Sequence, residues 1–159
     1  MLCALAAGQY FWAEPSAPTP ANPLAEDSYA ISRVVDGDTI IVAPNTRVRL
    51  LGIDTPETVR PEHPVEPFGP EATAFTRRFL ADGTARLTFD RERFDRFGRH
   101  LAYVWVDGQL LNEELLRAGL ARWEPQFNYA EPMKRRFKAA QREAQDAQRG
   151  VWSAENDGP

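Results

Sequence analysis

The 159-residue chain is short of cysteine, histidine and lysine, and it carries no excess of positive charge. Its one cysteine, Cys3, excludes a disulfide framework and a cysteine metal cluster. Cys3 reads as a leader or anchor residue, or as incidental, rather than as a nucleophile. The two histidines, His63 and His100, stand alone, and no HExxH occurs, which excludes the usual histidine-rich zinc sites. Neither GxxxxGK[ST] nor GxSxG occurs, so a P-loop and a nucleophile elbow are absent. No lysine precedes Lys134, which leaves none beside the carboxylates early in the chain. The formal net charge of −4 argues against a surface built for polyanions. One detail opposes that: apart from Lys134 and Lys138, the 19 basic residues are all arginine. Arginine's planar fork grips phosphate or carboxylate with two bonds, which lysine cannot do.

The charge is also unevenly placed. Three of the 23 acids (Glu14, Glu26 and Asp27) lie in residues 1–28, which hold no base, so the rest of the chain carries 20 acids against 19 bases. Residues 1–28 differ in texture as well. Met1–Ala7 is apolar but too short to span a bilayer. Ala13–Pro23 has four prolines in eleven residues and cannot form a packed core. We expect residues 1–28 to be a disordered tail or linker, or the remnant of a signal peptide or membrane anchor, and hence an exported protein (secreted, periplasmic or membrane-anchored).

From Tyr29 the pattern is globular. Ile31–Val35 and Ile40–Val42 are β-branched runs split by Asp36-Gly37-Asp38, and Arg47–Leu51 reads as a third strand. Pro61, Pro64 and Pro67 make residues 57–69 a loop. Pro70 then opens a helix whose Ala72, Phe75, Phe79 and Leu80 share a face, with Gly83 ending it. Arg86–Asp90 and His100–Val106 are strands, Leu111–Leu116 a short helix, and Phe137, Ala140, Ala144, Ala147 and Val151 the stripe of a last one. Five strands and three helices predict an α+β design, a small barrel with helices.

Asp36 and Asp38 flank Gly37 in one turn, and Asp54 and Glu57 follow the third strand. A meander brings the two pairs together. Converging carboxylates repel unless a hard cation sits among them, and Ca²⁺ takes such oxygen ligands. Ordinary Asp-Gly turn chemistry fits the first pair equally well. The EF-hand pattern does not fit, since Ile41 stands where its glycine belongs. Arg49 leads into Asp54, and Arg99 opens the strand His100–Val106. Both could neutralise charge on a phosphorus centre under attack.

Taken together, Val35-Asp-Gly-Asp-Thr39, Arg49-Leu-Leu-Gly-Ile-Asp-Thr-Pro-Glu57, Phe68-Gly-Pro-Glu-Ala72, Asp95-Arg-Phe-Gly-Arg-His-Leu-Ala-Tyr103, Asn112–Ala121 and Gly150-Val-Trp-Ser153 resemble the staphylococcal nuclease (thermonuclease) family over about Tyr29–Ser153. The resemblance implies an OB-fold five-stranded β-barrel with three α-helices over residues 29–155. It also implies a Ca²⁺-dependent endonuclease cleaving DNA and RNA at the 5′-oxygen to leave 3′-phosphates. By the same resemblance, Asp38 and Asp54 are direct calcium ligands and Thr55 a ligand through its carbonyl, with Asp36 assisting through water. Glu57 activates the attacking water, and Arg49 and Arg99 bind the phosphate. A non-catalytic nucleic-acid-binding module on the same barrel is the alternative, and the complete carboxylate–arginine set speaks against it.

The chain departs from the family at its substrate contacts. Phe97 replaces a tyrosine beside the second arginine. Pro125 and Phe127 stand where the family has stacking tyrosines, and Arg60 and His63 occupy a loop that is lysine-rich in the family. Phe97, Phe127, Tyr129 and His63 are the expected substrate contacts. Nucleic acid is the expected partner, and a monomer the expected state. Trp105, Phe75, Phe89 and Val104 are expected in the core, and Trp152 as an anchor for the last helix.

Overall fold

The computed structural model describes residues 22–58 and 64–153. Its barrel is built from β1 (Asp27–Asp36), β2 (Thr39–Val42), β3 (Thr46–Leu50), β5 (Thr84–Thr88) and β6 (His100–Val106). Three two-residue strands accompany them: β4 (Ile53–Asp54), β7 (Gln109–Leu110) and β8 (Arg122–Trp123). The helices are α1 (Gly69–Phe79), α2 (Leu111–Arg117) and α3 (Glu131–Asp146), followed by a 3₁₀ turn at Gly150–Trp152.

β1 serves two neighbours in turn. Asp27–Ala30 pairs antiparallel with β5, and Ile31–Asp36 pairs antiparallel with β2 across two register shifts. Such bulges bend a strand, which lets one ten-residue strand turn a barrel corner. The order β3-β2-β1-β5-β6 then closes on itself through a parallel β3–β6 pairing. This is the expected five-stranded OB-type barrel with three helices.

Residues Ile40, Val42, Val48, Leu50, Leu87, Leu101 and Val104 fill the barrel, and Leu111, Leu115, Leu116, Phe137 and Ala140 continue the core beneath α2 and α3. Trp105, Phe75 and Phe89 pack against it, half-buried. Asn112 is fully buried and satisfied: Nδ2 donates to the Leu51 and Ala102 carbonyls (3.0 and 3.2 Å), and Oδ1 accepts from Val104 N (3.0 Å). It ties the end of β3 to β6 and α2. The chain end is clasped by two glycines of positive φ. A Cβ on Gly119 would lie 2.2 Å from Arg149 O, and one on Gly150 would lie 2.1 Å from Gly119 O.

The domain boundary expected at Tyr29 moves earlier. β1 begins at Asp27, and Leu24 is pinned to the barrel by its N–H donating to His100 Nε2 (3.1 Å) and by Arg93 donating to its carbonyl. The proline-rich composition of the preceding segment hid these anchors, because they are backbone hydrogen bonds with no side-chain signature.

Candidate active site

The acidic turn is pressed against α1. A Cβ on Gly37 would lie 2.8 Å from both Ala72 Cβ and Thr55 Oγ1, so only glycine lets the turn approach the helix this closely. Buried Thr76 Oγ1 donates to Gly37 O at 2.6 Å and fixes the turn from below. Cross-strand register then sets Asp36, Thr39 and Arg49 in one row over β1, β2 and β3.

Asp38 is 3% exposed and fully engaged. Its Oδ1 accepts from Arg49 Nη1 (2.8 Å) and Thr39 Oγ1 (3.0 Å), and its Oδ2 accepts from Thr55 N (2.9 Å). Arg49 Nη2 donates to Asp54 Oδ1 (2.7 Å) and lies 3.6 Å from Glu124 Oε2. Glu124 arrives there because β8 pairs with β4, setting Trp123 opposite Ile53, and Glu124 N donates to Gly52 O. One guanidinium thus faces three carboxylates.

Arg99 is held by a turn built on Asp95. Asp95 Oδ1 accepts from Phe97 N (2.9 Å) and Arg99 N (3.0 Å), and Oδ2 accepts from Arg99 Nε (2.6 Å). Among the described residues the two terminal nitrogens of Arg99 have no hydrogen-bond partner. The fork is therefore oriented by Nε and left open at its tip, the arrangement a two-bond phosphate contact needs.

These groups converge. Asp36, Asp38, Asp54, Thr55, Glu57, Arg49 and Arg99 line one small polar pocket of about 50 Å³. A water needs about 10–15 Å³ of such space, so the pocket has room for an ion with a few waters. Beside it lies an open cleft of about 1130 Å³, which shares five of these residues and adds Arg47, Arg96, Phe97 and Phe127. The negative charge is concentrated. Asp36 is pushed up to about 7, first by burial, then by the charge and hydrogen bond of Asp38 and by the charge of Glu57. Burial also raises Asp54, with the hydrogen bond from Arg49 opposing it. Burial acts to lower Arg49, but the charges of Asp38 and Asp54 outweigh it and hold the guanidinium above its ordinary range.

Among the described residues no three acid, imidazole or thiol side chains stand at metal-binding spacing. The donor set around the pocket is nevertheless all oxygen, which suits a hard cation. The ion would also relieve the like-charge repulsion that adds to burial in raising Asp36.

The expected substrate contacts divide. Phe97 is 66% exposed at the cleft with Arg96 and Arg99 over its ring (4.7 and 5.5 Å), and Phe127 lines the same cleft. Tyr129 is not a substrate contact. It is 1% exposed, its ring packs 6.0 Å from that of Phe137, and its hydroxyl accepts from Trp123 Nε1 (2.7 Å) and donates to Glu124 O (3.2 Å). A polar tip satisfied inside the core is ordinary for buried tyrosine. His63 lies outside the described residues. Trp152 is half-buried beneath Arg122, 4.4 Å from its guanidinium carbon.

Sequence reasoning missed Asp95, Thr76 and Glu124. Asp95 carried a signal, since an acid four residues before an arginine in a Gly-containing turn can cap it. Thr76 and Glu124 carried none, because their contacts span 39 residues to Gly37 and 75 to Arg49.

A family model described as "Staphylococcal nuclease homologue" matches residues 47–154. Thermonuclease of Staphylococcus hyicus is 44% identical over 134 residues, covering 80% of this chain and 77% of that protein. Thermonuclease of Staphylococcus intermedius is 44% identical over 132 residues (79% and 76%). Endonuclease YncB of Bacillus subtilis is 37% identical over 155 residues (91% and 72%). The family match begins at residue 47, so Asp36 and Asp38 precede it.

Proposed function

The chain belongs to the staphylococcal nuclease family, and on that premise we propose that it is a calcium-dependent endonuclease hydrolysing phosphodiester bonds of DNA and RNA. The convergence of Asp36, Asp38, Asp54, Glu57, Arg49 and Arg99 on one small polar pocket carries the proposal. Asp38 and Asp54 would hold the ion with the Thr55 carbonyl, and Asp36 would assist through water. When bound, calcium supplies positive charge beside the phosphate and offsets the carboxylates.

The rest follows from the chain's own groups. Glu57 lies at the pocket wall, where it orients a water and takes up its proton. Attack in line on phosphorus breaks the bond to the 5′-oxygen, which takes a proton from solvent as it leaves, giving a 3′-phosphate and a 5′-hydroxyl. Arg49, tethered by Asp38 and Asp54, and Arg99, tethered by Asp95, face the extra charge that phosphorus gains. Fixed cations in a partly desolvated pocket stabilise that charge without reorganising as it forms.

The test is cleavage of single-stranded DNA and RNA by purified protein with millimolar calcium and with excess chelator, from neutral to alkaline pH. Cleavage in calcium alone is expected, with 3′-phosphate ends. Binding without cleavage under every condition would instead identify a non-catalytic module. Export remains part of the proposal, testable by fractionating cells that express the full chain.

A further inference from the structure

The row of the sheet next to the one that holds Arg49 also carries arginine. Asp36, Thr39 and Arg49 form one cross-strand row, and one pleat repeat away Arg33, Ile41 and Arg47 form the next. Both arginines are exposed. Among the described residues neither side chain forms an ion pair or hydrogen bond, whereas Arg49 on the neighbouring row pairs with Asp38 and Asp54. Ile41 between them is buried, 8% exposed, so the row presents its two arginines on either side of a covered apolar residue.

Arg47 lines the same cleft as Arg49 and lies two residues before it on β3. Two residues of strand span about 6.6–6.8 Å, a stride that an unstacked polynucleotide can match from one phosphate to the next. Arg33 sits two strands further across, about 9–10 Å away at the backbone.

We propose that Arg33 and Arg47 form an accessory subsite that grips the backbone of a single-stranded polynucleotide beyond the phosphate held at Arg49 and Arg99. This rests on the nuclease reading for its substrate, but its contact is electrostatic and needs no cleavage. It makes the enzyme favour long strands over short ones without reading bases.

Binding of a fluorescein-labelled 20-nucleotide thymidine strand, followed by anisotropy across a salt series in chelator, tests the subsite directly. The Arg33→Ala/Arg47→Ala variant should bind about tenfold more weakly, and its slope of log affinity against log salt should fall by about 1.4, roughly 0.7 for each phosphate that is no longer neutralised. Arg135→Ala/Arg142→Ala, which removes the same charge from the exposed face of α3, should keep the parent slope. Thermal midpoints of all three proteins should agree. An unchanged slope in the first variant, an equal loss in the second, or a parent that does not bind the strand would each overturn the subsite.

Cleavage in calcium supplies the second arm. The parent's preference for the 20-mer over a dinucleotide, as a ratio of kcat/KM, should shrink about tenfold in Arg33→Ala/Arg47→Ala. A parent that binds through these arginines yet cuts neither substrate would overturn the nuclease reading and leave the subsite standing.

Discussion

Single side chains here are held by specific partners, and that makes their removal readable. Arg99 owes its orientation to the Nε bond with Asp95, which leaves the fork beyond it for the proposed phosphate contact. Arg99→Lys keeps the charge but loses the fork. It should lower kcat about 10²–10³-fold, the size seen when one transition-state donor is removed, with the unfolding midpoint unchanged. Glu57→Ser and Arg99→Gly should likewise remove most cleavage and spare the fold. Variants as active as the parent in single-turnover assays would refute these roles. Gly37→Ala is the opposite kind of change. Its Cβ would meet Ala72 and Thr55 at 2.8 Å, so the turn must lift off α1. We expect a loss of about 1–3 kcal/mol in urea unfolding, the usual cost of overpacking, together with lost activity. The residues that line the small polar pocket were legible as a group because each sits in a short run with its neighbours, as in Asp36-Gly37-Asp38. Tyr129 was misread because spacing along the chain does not say which way a side chain points. Its ring turns inward onto Phe137, and its hydroxyl closes a bond with Trp123.

At the scale of elements, β-branched and apolar runs bounded by turn signals located the five barrel strands, including β2, which is buried at every position, and helical periodicity located the three helices. It could not locate β4, β7 and β8, which have two residues each and no period to display. Yet β4 carries Asp54, and β8 delivers Glu124 beside Arg49. The start of the fold was hidden for the same reason, being anchored by backbone bonds from Leu24 to His100 and Arg93. That anchor should respond to pH. His100 is 1% exposed between Phe89 and Phe94, and its Nε2 must be unprotonated to accept the Leu24 N–H. Burial, and then the charge of Arg93, hold its pKa below the ordinary value of 6.5. A pKa depressed in the folded state gives stability that is present above 6.5 and lost as pH falls below it. Residues 24–27 should therefore lose hydrogen-exchange protection on acidification from pH 7.5 to about 5, and His100→Gln should flatten the response by removing the titration. Protection at Leu24 that is identical at both pH values would show that the imidazole does not govern the anchor.

For the molecule as a whole, the net charge that first argued against a polyanionic substrate belongs partly to residues 1–28. Residues 29–159 are close to balanced, and four of their acids crowd one pocket. That crowding is unfavourable without a cation. Asp36, raised to about 7, shows the sign: a carboxyl whose folded pKa lies above its unfolded one loses its contribution to stability as pH rises toward and through 7. At pH 8 and in chelator the folded protein therefore carries a charge it would be more stable without. Asp36→Asn should raise the unfolding midpoint under those conditions, the familiar case of a site that trades stability for function. Calcium should favour the parent over that variant. An ion that binds only the folded state adds about 2.7 kcal/mol at a hundredfold excess over its dissociation constant, a rise of roughly ten degrees for a domain of this size. The parent should show that rise between chelator and calcium. Asp36→Asn should show less of it, and Asp38→Asn or Asp54→Asn almost none. Scanning calorimetry of the four proteins at pH 8, in chelator and in calcium, separates the effects: if the parent melts at the same temperature in both, the pocket does not hold calcium, and the chemistry assigned to it fails with the ion.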